Sequence, residues 1–153
     1  MRSPLDALAL LAHRYPFLLI DRITALEKGK RAEGIKRVTG NEWFLSGAGA
    51  NGSYPVGTAS MPSGLVVEAL AQLTAAVLLG LVDEGAGAIG YFMGIDRVRY
   101  RGAARPGDEI RLEVQLLRFR RGICWTRGDA WVGSKRIVRA ELTTAIRPAP
   151  AQL

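Results

Sequence analysis

The longest apolar run in the chain, residues 65–82, limits the fold more than any other feature. It lies within SGLVVEALAQLTAAVLLGLV, between Pro62 and the glycines Gly80 and Gly85, a sensible start and stop for a helix over residues 63–82. The run is nearly long enough to span a bilayer, yet it carries Glu68, Gln72 and Thr74 and is rich in Ala. Such a helix, apolar almost all the way round, is expected to be covered by protein on most sides rather than by lipid.

What surrounds it reads mostly as strand. Residues 4–12, within an N-terminal helical stretch 1–12, carry Leu5, Leu8 and Leu11 on one stripe of a short amphipathic helix. Pro16 stops it, and FLLI is expected to open an apolar strand. The segment ITALEKGKRAEGIKRVT continues as strand, turn and strand around Lys28-Gly29-Lys30. Residues 90–147 form a strand meander. In EIRLEVQLLRFR, Ile110, Leu112, Val114 and Leu116 share one face, with Arg111, Glu113 and Gln115 on the other. Turns fall at RPGD, at RRG and at Gly133-Ser134, and YFMGIDRVRYRG alternates imperfectly. There is no internal repeat and no dividing linker, so residues 1–153 are read as one domain. One buried helix among consecutive strands predicts an α+β fold, an antiparallel sheet wrapped on a single helix.

The glycine-rich loop over residues 45–62 contains GAGANG, a literal match to the dinucleotide fingerprint. That fingerprint must turn straight from a strand into a helix whose N-terminus holds the pyrophosphate. Here SYPVGTASMPS follows, with Pro55 and Pro62 in the way, and no βαβ unit lies downstream. No Lys-Ser or Lys-Thr follows the glycines, so a phosphate loop fails as well.

Charge and cysteine content narrow the partners. Lys and Arg number 21 against 14 Asp and Glu, a net charge of +7, which fits either a solvated basic surface or an acidic partner. The basic residues form no helical stripe and no aromatic stacking platform accompanies them, so nucleic acid is not expected. Cys124 is the single cysteine, in an apolar strand, and is read as inert packing with no metal motif around it. The N-terminus carries Asp6 and His13-Arg14 and lacks a cleavage pattern, so neither a signal peptide nor a membrane segment is expected, and a reducing, cytoplasmic setting fits.

Glu68 is the most informative residue. It is flanked by Leu65, Val66, Val67, Ala69 and Leu70, with Gln72 one turn further on the same face. Burying a carboxylate costs several kcal/mol unless it is neutral or partnered, and a carboxyl that keeps its proton suits a general acid. A carboxylate that leaves for solvent or pairs with an arginine fits the same residues.

The chain resembles the (3R)-hydroxyacyl-acyl carrier protein dehydratases of type II fatty-acid synthesis, the FabZ-type enzymes with the hotdog fold. HRYPFLLIDR, GIKRVTGNEWF, MPSGLVVEALAQ, YFMGIDRVRYRG, PGDEIRLEV and RRGICWTRGDAWV follow in that family's order, from about residue 11 to residue 147. The resemblance implies a long central helix wrapped by a curved antiparallel sheet, and a homodimer or a trimer of such dimers. It implies a site at the dimer interface and a substrate carried on the phosphopantetheine of acyl carrier protein or of CoA, with no other cofactor and no metal. By its motif, Glu68 is the acid–base group and Gln72 its companion. The amides of Ser63 and Gly64 polarise the thioester carbonyl at the helix N-terminus, where a developing oxyanion is favoured. Arg97, Arg99, Arg101 and Arg105 are candidates for docking an acidic carrier protein.

One element of the family pattern is missing. Its loop carries a His followed by Phe and Pro, and this longer loop has none. Aligned from Asn41-Glu42 the position falls on Ala48; aligned back from Pro62 and Glu68 it falls on Tyr54. The family's Pro-Gly pair is here Pro62-Ser63-Gly64. Tyr54 is the candidate second catalytic group, although a tyrosine hydroxyl ordinarily titrates at about 10. His13, the only histidine, is read as a structural residue at a strand entrance that reaches the site only if its loop folds towards Glu68. Three activities remain: a dehydratase using Glu68, a hotdog thioesterase using the same carboxylate, and a non-catalytic acyl-binding subunit.

Overall fold

The computed structural model describes residues 10–45, 59–79, 81 and 88–148. Most of the helix expected over residues 4–12, and the heart of the glycine-rich loop, lie outside them. The elements in chain order are β1 (Arg22–Glu27), β2 (Arg31–Arg37), a 3₁₀ turn (Trp43–Leu45), α1 (Ser63–Leu78), β3 (Ala88–Tyr100), β4 (Glu109–Arg120), β5 (Ile123–Val132) and β6 (Lys135–Pro148).

The strands form one antiparallel sheet in the order β1-β2-β4-β5-β6-β3, with α1 packed across it. Glycine places the turns. Gly29, Gly107, Gly122 and Gly133 all have positive φ, at the β1–β2 turn, at RPGD, at RRG and at Gly133-Ser134. In β4 the alternation holds: Ile110, Leu112 and Val114 are buried, whereas Arg111 and Gln115 are exposed. β3 alternates poorly because its pairing with β6 slips twice, between Phe92 and Gly94 and between Asp96 and Arg99, with Arg97 at φ 51°.

The core forms where α1 meets the sheet. Leu70, Leu73 and Val77 of the helix are wholly buried with Ile110 and Leu112 of β4, Ala130 of β5 and Ala140 of β6. At Gly128 in β5 the helix comes so close that an added Cβ would stand 3.0 Å from Leu70 Cδ1. The helix is also tied at both ends. Met61 N–H donates to Ala104 O at 2.8 Å, and Gly29 N–H in the β1–β2 turn donates to Val77 O at 2.8 Å. The latter fills one of the carbonyls a helix C-terminus leaves open.

FLLI departs from expectation. Residues 17–20 are buried at Leu19 and Ile20 but are not a strand; β1 begins only at Arg22. Two of their backbone groups, Phe17 O and Leu19 N–H, are bonded to the Gln72 side chain of the helix.

Candidate active site

The sheet covers one side of α1 and leaves a stripe on the other. Gly64 is exposed, and Leu65, Glu68, Ala71, Ala75 and Leu79 are only partly buried. Their spacing of three and four residues puts them along one face. The small side chains of Ala71 and Ala75 make this face concave. A groove of about 490 Å³ runs along it, closed by Leu10, Ala12 and His13 on one side and by Gly90, Phe92, Thr144 and Ile146 of β3 and β6 on the other.

Gln72 organises the polar end of the groove. The residue is 1% exposed, and both of its amide N–H donors and its carbonyl oxygen are engaged. Nε2 donates to Glu68 Oε1 at 2.9 Å and to Phe17 O at 2.8 Å, and Oε1 accepts from Leu19 N–H at 2.9 Å. The amide therefore fixes Glu68 one turn earlier on the helix and fastens residues 17–19 to the same point. Glu68 is more open than a carboxylate in so apolar a run is expected to be: its side chain is 31% exposed and faces the groove. The reason is packing, since the sheet takes the opposite side of α1.

His13 lies across from it. Its Nε2 stands 3.7 Å from Glu68 Oε1, and the ring is 42% exposed on the groove wall. The chain folds this segment towards Glu68, the condition under which His13 reaches the site. Arg14 holds that segment, with Nη1 donating to Leu11 O at 2.6 Å and to His13 O at 2.7 Å. The sequence offered one signal for this approach: Gln72 is a buried amide in an apolar helix and must find partners outside it.

The helix start stands at the head of the same stripe. Leu65 and Val66 N–H donate to Pro62 O at 2.9 and 3.3 Å, and the amides of Ser63 and Gly64 have no backbone acceptor among the described residues. Nothing lies within 4 Å of where a Cβ on Gly64 would stand, so its backbone is approachable. Tyr54 and Ala48 lie outside the described residues. Just before them, Lys36 Nζ donates to Glu42 Oε1 at 2.6 Å and to Arg37 O at 2.7 Å, and this buried lysine anchors the chain where it enters the loop.

The pattern of the FabA-like domain matches residues 11–141. A 3-hydroxyacyl-[acyl-carrier-protein] dehydratase FabZ from Geobacillus thermodenitrificans is 47% identical over 143 residues, 94% of each chain. The chain belongs to the FabZ-type, FabA-like dehydratase family. A second FabZ relative, from Halalkalibacterium halodurans, is 45% identical over 142 residues, 93% of this chain and 96% of that one. Among solved structures, the dehydratase heterocomplex ApeI:P from Xenorhabdus doucetiae superimposes with a TM-score of 0.72 at 17% identity, covering 98% of this chain and 94% of that one. At that identity the likeness speaks to fold alone, and the fold is the hotdog, α+β as expected. No helix of the described residues is long and apolar enough to cross a membrane.

Proposed function

We propose that this FabZ-type chain removes water from 3-hydroxyacyl thioesters, giving the 2-enoyl thioester. One observation carries the reading: the single carboxylate of the apolar helix is held by Gln72 so that it faces an apolar groove, in a chain nearly half identical to FabZ dehydratases. Glu68 supplies the proton that lets the C3 hydroxyl leave as water. The amides of Ser63 and Gly64 receive the thioester carbonyl and stabilise the enolate oxygen formed when C2 loses its proton. Ala71 and Ala75 leave room for the acyl chain along the helix.

The substrate arrives on phosphopantetheine, whether of acyl carrier protein or of CoA, and no other cofactor or metal takes part. The working form is a homodimer, alone or as a trimer of dimers, acting in the cytoplasm. Support for the dimer comes from β3, an edge strand with Tyr91, Phe92, Met93, Ile95 and Tyr100 all exposed. Support for an acidic carrier comes from the net charge of +7 and from the exposed Arg97, Arg99, Arg101 and Arg105 on and after that strand.

The test uses purified protein with a 3-hydroxyacyl thioester and, separately, a saturated acyl thioester. Enoyl product from the first, lost in Glu68→Gln, supports the proposal. Free thiol released from the second and lost in the same variant would instead make the protein a thioesterase. Acyl binding with neither product would make it a non-catalytic subunit.

A further inference from the structure

The family's loop His is absent, and the elimination still needs a group to take the C2 proton. With Glu68 entering the reaction protonated, as the donor to the hydroxyl, a second group takes the C2 proton. Among the described residues, the groove holds one other side chain of suitable chemistry, His13.

His13 is the only imidazole in the chain. Its Nε2 is 3.7 Å from Glu68 Oε1, and its side chain, on the groove wall, is 42% exposed. Among the described residues the ring forms no hydrogen bond, and its one close polar neighbour is Glu68. A structural histidine of this exposure would add little to stability, whereas an imidazole on the groove wall is reachable by substrate. Its position is also not left to a loose loop. Arg14 closes the turn beneath it, Phe17 N–H donates to Arg14 O at 2.8 Å, and Gln72 grips Phe17 O and Leu19 N–H. The residue that orients Glu68 therefore also fixes the segment that carries His13.

We propose that His13 is the base of the reaction, working with Glu68 from the same chain in place of the missing loop histidine. The proposal rests on the dehydratase reading. Neutral His13 takes the C2 proton, and the C–H electron pair enters the enolate held at the helix start. That pair then forms the C2=C3 bond as the C3–O bond breaks. The leaving hydroxyl takes the proton of the Glu68 carboxyl and departs as water. The imidazolium of His13 returns its proton to the Glu68 carboxylate beside it, and the pair is reset with no other reactant consumed. Imidazole suits this step because it exchanges a proton near neutral pH.

The test compares wild type with His13→Gln, His13→Ala and Glu68→Gln on a 3-hydroxyacyl thioester in deuterated solvent, reading both enoyl formation and exchange at C2. His13→Gln is expected to lower kcat by about 10²–10⁴-fold and to stop C2 exchange, with KM changed by no more than about threefold and the melting temperature unmoved. Added imidazole is expected to restore His13→Ala in proportion to its concentration, which a merely structural residue would not permit. Glu68→Gln is expected to keep C2 exchange while losing elimination. Wild-type rates in His13→Gln, within about threefold, would overturn the proposal and move the base to the loop, with Tyr54 first in line. A wild type that makes no enoyl product would overturn the dehydratase reading itself, a different failure from the one just named.

Discussion

Gln72 joins fold and site in one side chain. Gln72→Leu keeps the volume but leaves Leu19 N–H and Phe17 O without partners, at about 1–3 kcal/mol for each buried group left unpaired. It also frees Glu68 to rotate. The expected result is a lower denaturation midpoint together with a fall in enoyl formation, read on the same preparation. Cys124 gives a second check at this scale. It is wholly buried, and burial pushes its thiol from an ordinary 9.0 up to about 11. The native thiol should resist alkylation at pH 8 and react once the chain is unfolded. Because the folded thiol holds its proton longer than the unfolded one, the unfolded state gains from ionisation first. Stability should therefore fall as pH rises from about 9 towards 11 and be unaffected by this group below that window. The sequence made Glu68 conspicuous because it is the only acid within the apolar run. It did not reveal how open the residue is, since that depends on which side of α1 the sheet covers. Nor did it bring His13 to Glu68, a contact made through the amide of a residue far along the chain.

The elements were legible where a local rule governs them. Period-two alternation gave β4, positive-φ glycines gave the turns, and Pro62 stands immediately before the helix. Legibility failed where a long-range bond overrode local pattern. FLLI has the composition of a strand, but Gln72 claims Phe17 O and Leu19 N–H; β3 is long, but two register slips break its alternation. The close approach of α1 to β5 depends on Gly128, whose added Cβ would collide with Leu70 at 3.0 Å. Leu70 is fully buried, and its own Cβ, fixed to the helix backbone, would stand 3.1 Å from the added one. Gly128→Ala should cost about 1–3 kcal/mol through overpacking, seen as a lower denaturant midpoint at unchanged slope.

At the scale of the whole molecule, the sheet has an unusual edge. β3 is bordered by β6 alone and presents Tyr91, Met93, Ile95 and Tyr100 to solvent, the features of a strand meant to be paired. Sedimentation should show a dimer or a multiple of it, and Tyr91→Lys with Ile95→Lys should shift it towards the monomer. A folded wild type that stays monomeric at assay concentration would contradict the proposed assembly. The basic surface gives a further contrast. If an acidic carrier docks there, KM for a substrate on acyl carrier protein should rise steeply with salt.

The most direct test of Glu68 as the acid of a dehydration is a single turnover, with enzyme in excess over one 3-hydroxyacyl thioester, comparing wild type with Glu68→Gln. Enoyl thioester is expected from the wild type and a rate lower by about 10²–10⁴-fold from the variant, with the thioester bond intact in both. Equal enoyl formation by the two proteins, or cleavage of the thioester in place of dehydration, would contradict it.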